Sequence, residues 1–165
     1  MKLEVKNLEK KFKDFTAVNN VNFSINDGKT LGLLGPNGCG KTTTIGMLLG
    51  LIKPSKGEIL IDGNNFEQLN REEILSKFNF ASPYVELPKK LTVKENLEIY
   101  GRLYGIRHLT ERINEIITDL NLKPFINKKT GELSSGQKNR VSLAKSLINK
   151  PEILFLDEPT ASLDP

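Results

Sequence analysis

Apolar and polar residues alternate in LEVKNL (3–8) and again in VNFSI (21–25), the period-two pattern of strands with one buried face. Between them, KKFKDFTAVNN reads as a polar turn region carrying two aromatics, Phe12 and Phe15. KTLGLLG (29–35) is a continuous apolar run ending in glycine, which predicts a strand buried on both faces. Ile45, Leu48, Leu49 and Ile52 then fall at i, i+3, i+4 and i+7, one face of a helix that Pro54 ends. EILIDGNN (58–65) predicts a strand running into a turn, and FNFA (78–81) a further short strand.

From residue 92 the pattern turns helical. Thr92 and Glu95 are spaced as a capping box, opening a helix through NLEIYGRLYG. Ile113, Ile116, Ile117 and Leu120 mark a second amphipathic helix. A third follows LSSGQ (133–137), with Val141, Ala144 and Ile148 on one face and Leu143 and Leu147 beside it. ILFL (153–156) predicts a second fully buried strand. The order describes an α/β protein: one domain, 1–165, whose core comprises residues ~1–88 and ~141–165 and whose all-helical subdomain covers ~89–140.

Composition narrows the class. No apolar stretch approaches the ~18 residues of a membrane span. The longest, IGMLLGLI (45–52), contains glycines and has helical periodicity. The N-terminus alternates charge with apolar residues and lacks a secretory signal's apolar core, which points to the cytosol. A single cysteine, Cys39, rules out an internal disulfide. The net charge of +4 suits an anionic ligand, but the lysines are scattered rather than massed, so no nucleic-acid partner is expected.

The candidate chemistry begins at Gly35-Pro36-Asn37-Gly38-Cys39-Gly40-Lys41-Thr42, followed by Thr43. This is GxxxxGK[ST] between a predicted strand and a predicted helix, the context in which it binds phosphate. Its glycines let successive N–H groups turn inward, and the helix N-terminus adds partial positive charge. Lys41 can reach the β- and γ-phosphates, and the Thr42 hydroxyl can ligate Mg²⁺. Cys39 reads as a small side chain in the loop rather than a reactive thiol. The second element is Asp157-Glu158 at the end of the last apolar strand. Neighbours on an extended chain point opposite ways. Asp157 is therefore assigned to Mg²⁺, through water, and Glu158 to the base that polarises the attacking water.

GPNGCGKTT (35–43), LSSGQ (133–137), ILFLDEP (153–159) and SLD (162–164) occur together and in order. In this the chain resembles the ATP-binding-cassette (ABC) ATPases. The resemblance implies a P-loop NTPase core, a mixed or parallel sheet with flanking helices and an N-terminal antiparallel β portion, carrying an all-helical signature subdomain. It implies ATP and Mg²⁺ as ligands and Phe12 as the aromatic that stacks on adenine, with Phe15 as the alternative. It implies that Ser134, Gly136 and Gln137 contact the γ-phosphate of ATP held by a second copy, and that Asp164 lies at the interface of a head-to-tail homo- or heterodimer. Partner membrane subunits would hold the protein at the inner face of the membrane. LTVKENLEIYGRLYGI resembles the exporters of the family.

Two departures from the family pattern stand out. The glutamine expected before the LTVKENL segment is replaced by Ser82 or Pro83, and Gln68 and Gln137 are both out of place for it. The strands and the histidine that usually follow SLD would lie beyond Pro165, so the chain reads as a cassette truncated after that loop. The only histidine, His108, lies in the helical insert and reads as a surface residue. The leading expectation is an ATPase subunit that powers transport through separate membrane subunits. The alternatives are a nucleotide-binding piece without turnover and a non-transport ABC ATPase acting on ribosomes or DNA.

Overall fold

β1 (Leu3–Phe12) organises the first half of the chain. It pairs antiparallel with β2 (Phe15–Ile25) on one side and β3 (Lys56–Ile61) on the other. β4 (Asn64–Asn65) completes a sheet of order β2-β1-β3-β4. The structure is a computed structural model describing residues 1–82 and 86–158, and it divides into two units, Met1–Leu75 and Ser76–Pro165.

In β1 the alternation carries a switch. Leu3 and Val5 are buried, and strict alternation would bury Asn7, yet Leu8 is buried instead. Asn7 has φ +49° where both ladders of β1 change register. The extra residue of this bulge flips the parity of every side chain after it.

The expected polar turn region is mostly strand. β1 continues to Phe12 and β2 begins at Phe15, leaving Lys13 and Asp14 as the turn. Aromatic and β-branched residues hold the extended conformation here despite their lysine neighbours. Phe12 and Phe15 face each other across the hairpin. They are 46% and 61% exposed, so neither is a core residue.

The apolar run 29–35 forms no strand, and Leu34 is 95% exposed. Burial on both faces requires a place inside a sheet that is covered on both sides. The sheet of this unit is built without the run, so its composition states a capacity for burial that the unit does not use.

α1 (Lys41–Leu48) is shorter than the periodicity predicts. Gly50 adopts φ +66°, and the Gly50 and Leu51 N–H groups donate to the carbonyls of Met47 and Gly46 at 3.0 and 2.9 Å. This left-handed closure satisfies the last carbonyls and stops the helix before Pro54 can. Residues 44–48 are all buried, so the helix is enclosed rather than one-sided. β3 turns into β4 through Asp62 and Gly63, both at positive φ, the backbone of a two-residue hairpin turn. α2 (Arg71–Ser76) ends the unit.

In the second unit β5 (Phe78–Ala81) and β6 (Ile153–Leu156) form a parallel pair in register from Phe78↔Ile153 to Ala81↔Leu156. Phe78 and Phe155 meet edge to face with ring centroids 5.6 Å apart. β6 is not fully buried as its composition predicts: Phe155 is buried, but Leu156 is exposed. With β5 as its ladder partner among the described residues, β6 keeps an open edge. α3 (Val93–Leu103), α4 (Leu109–Asp119) and α5 (Ser135–Leu147) enclose a core that includes Val93, Leu97, Ile113, Ile116, Val141 and Ile148. The capping box of α3 forms as the spacing predicts. Thr92 N–H donates to Glu95 Oε2 at 2.7 Å, and Glu95 N–H donates to Thr92 Oγ1 at 3.2 Å.

Two expectations follow. Leu97→Ala removes a fully buried side chain and should cost about 2–5 kcal/mol in chemical unfolding. Leu103→Ala, at a position 74% exposed, should stay within about 0.5 kcal/mol of wild type. The backbone and side-chain hydrogen bonds from Thr92 hold the Glu95 carboxyl below the ordinary carboxylate range. Because the folded value is depressed, the cap's contribution is whole above the unfolded carboxylate pKa and is lost as pH falls through the folded value. Acid titration of unfolding should show this loss in wild type, and Glu95→Gln should flatten it.

Candidate nucleotide and signature site

The phosphate loop lies in the first unit and is held by its own lysine. Lys41 Nζ donates to the carbonyl oxygens of Gly35 and Pro36 at 2.7 and 2.9 Å, so an ammonium sits across the loop's opening. Cys39 N–H donates to the Pro36 carbonyl at 3.3 Å, making a tight turn. The Cys39 thiol is exposed and 3.9 Å from Lys41 Nζ. Gly40 is the N-cap of α1, at φ +94° and with no side-chain cap hydrogen bond. A Cβ there would overlap the carbonyl oxygen of Ala17 on β2, so backbone conformation and space both demand glycine. Thr44 N–H and Oγ1 donate to the Gly40 carbonyl at 2.8 and 2.9 Å, starting the helix squarely behind the loop. Asn37, Gly38 and Thr42 are exposed at the same mouth, with Thr43 half-buried. Loop, ammonium and helix N-terminus together suit an anion of several oxygens.

The acids lie in the second unit. Asp157 N–H donates to the Ala81 carbonyl at 3.0 Å, continuing the parallel ladder by one bond. That bond places Asp157 beside Ser82, and both are buried. Asp157 is 8% exposed, whereas Glu158 is exposed and turns the chain with φ +46°. The expected opposite orientation of the two acids thus appears as opposite burial. Asp157, Glu158 and Ser82 line a cavity of about 390 Å³ with Gly136, Asn139, Arg140 and Leu143 of α5.

Ser134 is the N-cap of α5. Gln137 N–H donates to Ser134 Oγ at 3.3 Å, and Ser134 N–H donates to Gln137 Oε1 at 3.1 Å. This capping box engages the N–H of Gln137 and leaves the N–H groups of Ser135 and Gly136 outside it. A Cβ on Gly136 would meet nothing within 4 Å, so packing within the chain does not require a glycine there.

The fold therefore gathers the predicted site residues into two sets. Residues 35–43 form one set in the first unit, and Ser134, Gly136, Gln137, Asp157 and Glu158 form another in the second. Phe12 is at the hairpin tip of the first unit, with Lys10 Nζ 5.0 Å from its ring centroid. His108 is an exposed residue at the start of α4. Pro83, Pro159 and the SLD segment with Asp164 lie outside the described residues. The sequence pattern singles out neither Asn139 nor Arg140 and marks Leu143 only as lying beside the core face. With Gly136 they form an i, i+3, i+4, i+7 stripe flanking the Val141–Ala144–Ile148 core face, and that spacing was the available signal.

The ABC transporter family profile matches residues 18–161. The chain belongs to the ABC transporter family. It is 39% identical over 165 residues to an Escherichia coli (strain K12) protein named "Probable multidrug ABC transporter ATP-binding protein YbhF", spanning 99% of this chain and 28% of that protein. It is 41% identical to the bacitracin transport ATP-binding protein BcrA of Bacillus licheniformis, spanning 99% of this chain and 53% of that protein. It is 38% identical to the spermidine/putrescine import ATP-binding protein PotA of Chromobacterium violaceum, spanning 98% and 45% respectively. The chain thus spans between about a quarter and about a half of these relatives' lengths.

Among solved structures, the ATP-binding subunit of an ABC transporter superposes with TM-score 0.85 at 28% identity, covering all of this chain and 69% of that one. A dimeric ABC cassette in a post-hydrolysis state bound to ADP and phosphate superposes with TM-score 0.80 at 32% identity, covering 98% and 76%. The P-loop NTPase class expected from the motifs is the class of these neighbours.

In this family member Gly40 is the most constrained position of the loop. Gly40→Ala should lower stability by about 1–3 kcal/mol. In a thermal unfolding series it should rank well below Gly136→Ala, which meets no neighbour.

Proposed function

We propose that this chain is the ATP-binding and ATP-hydrolysing part of a transporter, working as a dimer of cassettes and acting through separate membrane-spanning subunits. The observation that carries the proposal is the lysine-closed loop on the uncapped N-terminus of α1. Lys41 would exchange its two carbonyl partners for β- and γ-phosphate oxygens, which make stronger, charge-assisted bonds. Residues 35–43 would cradle the phosphates with main-chain N–H groups, and Phe12, exposed at the hairpin tip, would stack on adenine.

Thr42 and Asp157 offer oxygen donors of the kind Mg²⁺ prefers, few in number because that ion keeps waters and substrate phosphates as its other ligands. Bound there, Mg²⁺ would neutralise charge on the β- and γ-phosphate oxygens. Glu158, the exposed acid of the pair, would accept the proton of the attacking water. Ser82 or Pro83 stands where a glutamine is usual, and Ser82, buried next to Asp157, or a water would substitute for it.

Ser134, Gly136 and Gln137 would meet the γ-phosphate of ATP on a second copy. The N–H groups outside the capping box would serve that contact, so cap and ligand roles coexist. Asp164 would lie at the dimer interface. The domain reading that accompanies this proposal is a core of residues ~1–88 and ~141–165 around a helical subdomain of ~89–140. Among the described residues, no helix is long and apolar enough to cross a membrane. Placement at the inner membrane face would come from the membrane subunits. Transport in the export direction is supported by the exporter-like LTVKENLEIYGRLYGI segment and by relatives named for multidrug transport and Nod factor export.

ATP binding and phosphate release measured on the same preparations test the proposal. Lys41→Ala should lose ATP binding, and unchanged affinity would refute the loop assignment. Glu158→Gln should bind ATP, accumulate as an ATP-bound dimer and release no phosphate. Wild-type turnover in that variant would remove Glu158 as the base.

A further inference from the structure

The turn before the signature segment is fastened to a loop 42 residues earlier in the chain. Thr130 and Asn96 are 4% and 1% exposed. Thr130 Oγ1 donates to the Pro88 carbonyl at 2.8 Å. The Thr130 N–H donates to the Leu91 carbonyl at 2.9 Å, and the Gly131 N–H to the Lys89 carbonyl at 3.1 Å. From the other side, Asn96 Nδ2 donates to the Thr92 carbonyl at 2.9 Å and reaches the carbonyls of Leu91 and Pro88 at 3.4 Å each. The Val93 and Lys94 N–H groups extend the seam to the carbonyls of Lys128 and Ile126, both at 3.0 Å.

Residues 88–94 and 126–131 are thus stitched along the main chain, with two buried side chains at the centre of the seam. Leu133, buried in the helical core, follows two residues after Gly131. Ser134 then caps α5. The slack between the seam and the signature helix is therefore a single turn anchored at both ends.

We propose that Thr130 and Asn96 are positioning residues: Thr130 welds the turn 130–132 to residues 88–91 and Asn96 fastens that loop to the start of α3, so that together they fix the N-terminus of α5 and Ser134–Gln137 moves only together with that loop. The weld stands on hydrogen bonds and burial alone. Its consequence for ATP rests on the reading that Ser134, Gly136 and Gln137 contact nucleotide on a second copy. Thr130 and Asn96 are themselves buried, so a hydrogen bond lost at either side chain is not replaced by one to water.

The test compares Thr130→Val, which keeps the shape and loses the donor, with Thr130→Ser, which keeps the donor. Both are made in the full 165-residue chain, alone and with Glu158→Gln. In the valine variant, amide exchange at residues 130–131 and 134–137 should quicken by about tenfold relative to α4, and serine should return it to within about twofold of wild type. ATP affinity of the single cassette should not change, while ATP-driven dimerisation in the Glu158→Gln background should weaken about tenfold and recover with serine.

Faster exchange confined to 130–131, with 134–137 unmoved, overturns the weld. Unchanged dimerisation beside quickened exchange at 134–137 overturns the positioning role. A Glu158→Gln chain with Thr130 intact that never dimerises with ATP refutes the functional reading and leaves the exchange comparison to decide the weld. Should Thr130→Val fail to fold by circular dichroism, wild-type exchange in low denaturant decides. One shared opening energy for 130–131 and 134–137 supports the weld, and unrelated energies sink it.

Discussion

Every α-helix begins with N–H groups that no carbonyl of its own can reach, and the ways these are handled organise much of this chain. α3 and α5 start with reciprocal capping boxes, Thr92 with Glu95 and Ser134 with Gln137. α1 starts on Gly40, which has no side chain to offer. α4 likewise starts without a side-chain cap, at His108, so an uncapped start alone marks no site; what sets α1 apart is what surrounds it. The lysine in the first position of α1 and the loop folded over it indicate an anion.

Much of this was legible from spacing alone. The Thr92–Glu95 capping box, the three helices of the second unit and the short strand at 78–81 follow from local rules that the tertiary structure does not overturn. Asp157 is buried and Glu158 exposed, but Glu158 has left the extended chain at φ +46°, a turn that the alternation did not foretell. Hidden features were those that depend on a neighbour far along the chain. The bulge at Asn7 reads as ordinary alternation until both flanking strands are known. The run 29–35 has the composition of a central strand, but composition states what a segment can bury and not whether a ladder will receive it. Pro54 looked like the helix stop because proline is an obvious breaker, whereas Gly50 ends α1 four residues earlier by conformation. The cavity-facing stripe of α5 was present in the spacing and was masked by the stronger core pattern on the adjoining face.

The two sets of candidate residues, one in each unit, differ in how tightly their own surroundings constrain them. Gly40 is locked by the Ala17 carbonyl, and Thr44 bonds straight back to it, so the start of α1 is rigidly built. The signature turn has no such enclosure: Ser134 and Ser135 are exposed, and Gly136 has open space beside it. Its order comes from the capping box and from the seam at Thr130. A rigid phosphate loop and a signature turn held through one seam suit different tasks, the first retaining a ligand and the second being brought to it.

Lys41 shows why the loop can be well formed yet ready to bind. Its ammonium bonds to two carbonyls of the loop itself, an arrangement that satisfies the charge and draws residues 35 and 36 toward the start of the helix. Neutral carbonyls are weaker partners for an ammonium than phosphate oxygens are, so on the proposed function an incoming phosphate would displace them without first having to assemble the loop. The ordering cost of the loop is met within the folded chain, leaving a larger share of the phosphate interaction for affinity. The same reasoning explains why alanine at position 41 would do more than delete a contact: it would also remove the internal bonds that keep the loop in shape before any nucleotide arrives.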